Sequence, residues 1–421
     1  MAVRPPSRPA SAAPPARLAI ECASDTRQRL ILATADLVAR DGIAAASARA
    51  IAANAAASPS AINYNFGNIE RLLQSTFALA VDETRAWLDL RRAEIVLLPG
   101  SPDGAAWALL HGLRSWTTEG RRLALLYQEA LAAGAGEGPA ADWTRLFRDF
   151  WLEVAERFGL APIDGRLMHV FFESEALYHL STWSPALEDA ALSDTVEHFA
   201  HVWLGAPLRP WRGALSQAED ASGTRPHGSA PPAAMRIAKA AAEVVEDKGL
   251  AGLTHRAVAH RAGVTTGSVT HHFRSIEDLV AGVIRGQVQV LTEEAVANAP
   301  PTIDEILTPA RLFEALRFHS AGDRPASPAI RRRRLFLASV RRRELAAAGA
   351  VIRYSHGGTV RDSLSRVFKL SEGDARLYSG VLSRLLAAIW FACAGDEDPR
   401  VTRHALIDRI EAALTARLTR L

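Results

Sequence analysis

"AGVTTGSVTHHFRSIEDL", residues 262–279, decides the fold. Helical periodicity runs out at Ala262, and Gly263 offers the left-handed backbone that ends a helix at little steric cost. Thr265 follows as a cap whose hydroxyl can satisfy the next helix's free amides, while Val264, Val269 and Phe273 turn inward. This is the pattern of a helix-turn-helix. The second helix of such a unit enters the major groove, where its first residues reach base edges and its amides and hydroxyls hold phosphate. Around it stand His255, Arg256, His260, Arg261, His271, His272 and Arg274, with no acid between 254 and 274, which is the charge that phosphate contact needs.

The element occurs twice. "AAASPSAINYNFGNIERL", residues 55–72, has the same form, and a shift of 207 residues places Arg29 on Arg236, Gly42 on Gly249, Arg49 on Arg256, Phe66 on Phe273, Glu70 on Glu277 and Leu72 on Leu279 without a gap. That register holds roughly 14 identities in about 45 positions, more than a shared helical composition supplies. A weaker echo continues beyond it: "RRLALLYQEALAAG" at 121–134 answers "RRLFLASVRRRELAA" at 333–347, and "GLAPIDGRL" at 159–167 answers "KLSEGDARL" at 369–377. The reading is a whole subunit duplicated in one chain.

The rest of the chain fits an all-α protein. Leu30, Ala33, Leu37 and Val38 form one apolar stripe at helical spacing, and Ile237, Ala240, Ala241, Val244 and Val245 form another. A proline-rich tail at 1–24 and a Pro/Gly/Ser-rich linker at 206–232 frame the two units. The expected division is a first head at 25–75, a first helical regulatory domain at 76–205, a second head at 233–282 and a second regulatory domain at 283–421.

Composition narrows the function classes. Of the 421 residues 48% are hydrophobic and 23% charged, with a net charge of only +3, as in ordinary globular proteins. Cys22 and Cys393 lie far apart without metal-like spacing, so neither a disulfide framework nor a zinc site is expected and a reducing, cytoplasmic setting fits. The apolar run "LLAAIWFACA" at 385–394 is about half of what a membrane span needs and reads as a core helix. Neighbouring His271 and His272 point about 100° apart on a helix, and His255 and His260 are five apart, so no face gathers metal ligands. There is no nucleophile elbow, P-loop, dinucleotide glycine fingerprint or metalloprotease histidine pair, so neither an enzyme nor a cofactor is expected.

With these residues in view, the chain resembles the tetracycline-repressor (TetR) family of bacterial transcription regulators. The family pattern reads here as Arg236, Gly249, "VA" at 258–259, "AGVTTGSVTHHF" at 262–273 and "SIEDL" at 275–279, and again as Arg29, Gly42, "IA" at 51–52, "AAASPSAINYNF" at 55–66 and "NIERL" at 68–72. The resemblance implies three-helix DNA-binding heads, each followed by a helical ligand-binding and dimerisation domain. It places Thr265, Thr266, Gly267, Ser268, Thr270, His271 and His272 toward the groove with Arg256 on phosphate, and Ser58, Ser60, Ala61, Asn63, Tyr64, Asn65 and Arg49 likewise in the first half. The chain departs from the family where Ile69 and Ile276 replace a phosphate-contacting lysine, and where Ala56 stands in a turn that favours glycine.

The implied partners are double-stranded DNA and a small-molecule effector, with repression as the family default and no membrane. One chain supplying both heads would be an intramolecular pseudo-dimer on an asymmetric operator. Two alternatives stay open: a chain that homodimerises and reads DNA through its second head alone, and a ligand-binding or protein-interaction scaffold without DNA. Trp107, Trp116, Tyr127, Trp143, Phe171, Phe172 and Tyr178 read either as core or as an apolar effector pocket in the first half. The runs Arg331 to Arg334 and Arg341 to Arg343 read as a solvated or acid-pairing face in preference to a second nucleic-acid patch.

Overall fold

The structure, a computed structural model, describes residues 26–207, 209, 213–222, 231–248, 252–276, 278–280, 282–283, 286, 308–320, 322, 327–354 and 357–418. The tail expected at 1–24, Cys22, Gly249, Glu277 and parts of the expected linker and second regulatory domain lie outside them. Regular structure among the described residues is helical throughout.

The first head is α1 (Thr26–Asp41), α2 (Ala48–Asn54) and α3 (Ser60–Phe66). Leu30, Leu37 and Val38 of α1 meet Ile51 of α2 and Ile62 and Phe66 of α3, all buried in one core. Ser47 caps α2 by accepting from the Ala50 amide, and Asn68 caps α4 (Ile69–Ile95) by accepting from the Arg71 amide. Helix α4 carries the chain from head to body. Arg122 ties the two together, reaching Asp36 of α1 at 2.9 Å and Glu83 of α4 at 3.1 Å.

The first body adds α5 (Pro102–Thr117), α6 (Arg121–Gly134), α7 (Gly138–Arg157), α8 (Pro162–Tyr178) and α9 (Pro185–Phe199), which continues through a wider π turn at Ala200–Leu204. A proline sits in the first turn of α5, α7, α8 and α9, where its missing amide hydrogen costs no helical bond. Between 206 and 232, expected as a bare connector, α10 (Ala214–Ala221) forms and packs on α9, burying Leu215 and Ala218. The surrounding prolines and glycines hide this short apolar face in the sequence.

The second unit opens with α11 (Pro232–Lys248), α12 (His255–Ala262) and α13 (Thr266–His272). Its body contains α14 (Pro309–Ser320), α15 (Ser327–Val340), α16 (Ala346–Tyr354), α17 (Gly358–Phe368), α18 (Glu372–Cys393) and α19 (Pro399–Leu418). The run at 385–394 is the core of α18, and this helix lies along α8 of the first unit. Helix α9 with its π turn and helix α19 flank that pair, so the two bodies meet through a layer of four helices.

Candidate nucleic-acid interface and the seam between units

In the second head Gly263 has φ +65°, the left-handed residue that the turn requires. The Thr265 hydroxyl accepts from the Ser268 amide at 3.1 Å, which sets the start of α13. Val269 and Phe273 are buried, Val264 half-buried, and an imidazole Nε2–H of His255 donates to the Phe273 carbonyl at 2.8 Å, locking α12 to the end of α13. The outer face therefore falls on Thr265, Thr266, Gly267, Thr270 and His271, which are exposed, with Ser268 and His272 half-buried. The Thr270 hydroxyl donates to the Thr266 carbonyl at 2.9 Å. Arg256, His260 and Arg274 are exposed beside this face. Arg261 is otherwise engaged: Glu243 and Asp247 of α11 hold its guanidinium, so it leaves the expected phosphate rim for an intradomain ion pair.

The first head repeats the geometry with strain. Ala56 occupies the equivalent of Gly263 at φ +49°, a conformation unfavourable for a residue with a Cβ. Ser58, the equivalent of Thr265, pairs its hydroxyl with that of Ser60 at 2.8 Å, and α3 starts without a side-chain cap. Tyr64 is 91% exposed, Asn63, Ser58, Ser60 and Arg49 are exposed, and Ala61 is half-buried. Asn65 turns back on its own helix, donating to the Ala61 carbonyl at 2.8 Å. Arg27 went unremarked in the sequence: it stacks 4.5 Å above the Phe66 ring and donates to the Asn65 carbonyl, pinning α3 to α1. Its partners lie far along the chain, so no local signal announces it.

The aromatic set divides. Trp116, Tyr127, Trp143, Phe171, Phe172 and Tyr178 are buried, and ring contacts such as Trp116 to Phe147 at 5.1 Å and Phe147 to Phe172 at 5.2 Å knit them into the core. Trp107 stands apart at 44% exposure, lining an open surface groove of about 380 Å³ with Ile95, Leu98 and His111. Six of these seven residues are thus buried, Tyr178 among them at the seam, and the groove at Trp107 collects none of the others.

The ion pairs across the seam are the feature that sequence reading missed. Arg333 of α15 meets Glu173 of α8 at 2.5 Å and lies 3.9 Å above the Phe391 ring. Arg384 of α18 meets Glu175 of α8 at 2.6 Å, and Arg353 of α16 faces Glu175 at 3.4 Å and Glu188 at 3.6 Å. Arg409 of α19 reaches Asp164 at 2.9 Å. In these pairs the first unit supplies the acid and the second the arginine. One cluster runs the other way, with Arg166 and Arg148 of the first unit on Asp396 of the second. Within the arginine runs Arg333 and Arg341 pair with acids: Arg341 meets Glu129 at 2.7 Å and donates through Nε to the Ala39 carbonyl at 3.1 Å, in the last turn of α1. The signal available in sequence was charge inside apolar helices, as in "FFESEALY" at 171–178, since buried carboxylates need partners.

A helix pair joined by a left-handed turn, with a small polar outer face and exposed cations, present twice in one chain, defines a helix-turn-helix DNA-binding regulator. The pattern of bacterial regulatory proteins of the tetR family matches residues 30–76 and 237–283, covering both heads and the start of the helix after each. The family's pattern thus occurs twice in this chain, once at each head. A crystal structure of a proposed transcriptional regulator from Streptomyces coelicolor A3(2) is 23% identical over 47% of this chain and 96% of that one, with a TM-score of 0.25. No curated protein matches the chain.

Proposed function

We propose that the chain acts as a single-chain pseudo-dimer, placing two unlike recognition helices on an asymmetric operator, with DNA affinity modulated by a small effector and repression as its default mode. The observation that carries this reading is the four-helix seam, in which α8 and α9 of one unit pack on α18 and α19 of the other. Members of the helix-turn-helix class bind as dimers whose recognition helices sit about one DNA turn, roughly 34–36 Å, apart. Two bodies joined within one chain supply that pairing without a second copy.

Charge complementarity supports it further. Pairing two first units through α8 would set Glu173 and Glu175 against like charge, and pairing two second units would do the same for Arg333 and Arg384. The unlike units fit each other. On the DNA side we assign base contact to Thr266, Gly267, Ser268, Thr270, His271 and His272 in one half-site. In the other we assign Ser60, Ala61, Asn63 and Tyr64, with Asn65 contributing after it leaves its helix bond. Thr265 and Ser58 flank these faces, and Arg256 and Arg49 hold phosphate. The groove at Trp107 is the place in the first body where an apolar effector could lie. The reading places the protein in the bacterial cytoplasm with DNA; among the described residues no helix is long and apolar enough to cross a membrane.

Light scattering on the intact protein, alone and with an operator duplex, tests this. A mass of one chain in both states supports it, and two chains per duplex would replace it with a homodimer.

A further inference from the structure

A cavity of about 70 Å³ lies in the seam, walled by Tyr178 and Ser174 of α8, Arg332, Arg333 and Phe336 of α15, and Phe391 of α18. Both units are needed to form it. Ser174 is 2% exposed, and its hydroxyl has no hydrogen-bond partner. The Nε–H groups of Arg332 and Arg333 are also buried and unmatched. A polar atom buried in this way points to an occupant that completes it.

The charges around the cavity do not close. Arg333, Arg353 and Arg384 each meet a carboxylate, whereas Arg332 is held by the Ile352 carbonyl at 3.0 Å and lies beside the Tyr178 phenol, with no acid against it among the described residues. Burial first, and the neighbouring Arg384 in addition, lower its pKa. An anion in the cavity would remove that cost. Size restricts the choice: an apolar cavity of about 150 Å³ accommodates benzene, so one half as large excludes an aromatic ring and admits an acid of two or three carbons.

We propose that the seam cavity binds a short-chain carboxylate, its charge on Arg332, one oxygen accepting from the Ser174 hydroxyl, and its carbon chain against Phe336 and Phe391. The site is distinct from the groove at Trp107. It deepens the effector part of the proposed function and rests on that reading only for its link to DNA.

Calorimetric titration of the intact chain with sodium propionate, at constant ionic strength, tests the site. The expected result is one saturable site per chain, at least tenfold weaker in Arg332→Gln, and absent in Ser174→Leu, which fills the cavity while leaving every ion pair in place. Propionamide, the uncharged counterpart, should give no saturable heat. No saturable propionate binding, equal binding of propionamide, or unchanged binding in Ser174→Leu would each overturn the proposal. DNA affinity with and without propionate is read separately: binding of propionate that leaves DNA affinity unchanged supports the site and removes its regulatory link. Failure to select any DNA bears on the proposed function and leaves the calorimetric result intact.

Discussion

Glu175 of the first unit and Arg384 of the second meet at 2.6 Å, and neither side chain is more than 4% exposed. Two charges taken out of water at this depth depend on each other, and removing one leaves the other stranded. Arg384→Met should lower stability by about 3–5 kcal/mol, with Glu175 left to the more distant Arg353. The double change Arg384→Met with Glu175→Leu should recover much of that loss, because apolar residues of similar volume can replace a buried pair. Urea midpoints of the parent, the Arg384→Met variant and the double variant check this. A single-variant loss below about 1 kcal/mol would mean that the pair is not buried in solution.

The two turns offer an internal control. Ala56 at φ +49° and Gly263 at φ +65° share one structural position with opposite residue choices. Ala56→Gly should stabilise the first head by about 1 kcal/mol, and Gly263→Ala should destabilise the second by a similar amount. Amide hydrogen exchange in α2 and α12 reads each head separately. The same sign at both turns would contradict the account.

Phosphate contact has a signature in salt dependence. Arg256 and Arg49 are exposed at the heads, whereas Arg261 is held by Glu243 and Asp247. Changing Arg256 or Arg49 to glutamine should reduce the slope of log affinity against log salt by about one and weaken binding evenly across sequences. Arg261→Gln should leave the slope unchanged. A drop for Arg261 equal to that for Arg256 would show that the ion pair opens on DNA.

Acid should weaken the seam. Burial, with His201 and Arg417 adding to it, pulls His198 down to about 3 from the ordinary imidazole value of 6.5. Burial beside Arg166 and Arg148 takes His169 well below its usual value as well. Both are bases whose protonation the fold resists, so the unfolded chain binds protons first. The contribution of His198 is whole above about pH 6.5 and falls by about 1.4 kcal/mol per pH unit as pH drops toward 3, and His169 acts in the same direction. Urea midpoints from about pH 6.5 to 4.5 should therefore decline less steeply in His198→Leu than in the parent. Equal slopes would show that His198 titrates normally.

How much of this was legible follows from distance along the chain. The stripes of α1 and α11, the glycine turn at 263 and the Thr265 cap are written within a few residues of one another, and they appear in the structure as read. Arg261 misled because its acids sit one helix back, at 243 and 247. The buried ion pairs of the seam were least legible. Glu173 and Arg333 are 160 residues apart, and only the duplication hinted that two bodies would face each other. The aromatic set could not be divided from sequence, because spacing tells which residues face inward and not whether they enclose space.

The most direct measurement is selection of bound duplexes from a randomised DNA pool, using the intact chain and a variant carrying His271→Ala with His272→Ala. The account predicts two dissimilar half-sites about ten base pairs apart, with only one lost in the variant. A palindrome abolished by the change would assign recognition to the second head alone and contradict the single-chain pseudo-dimer.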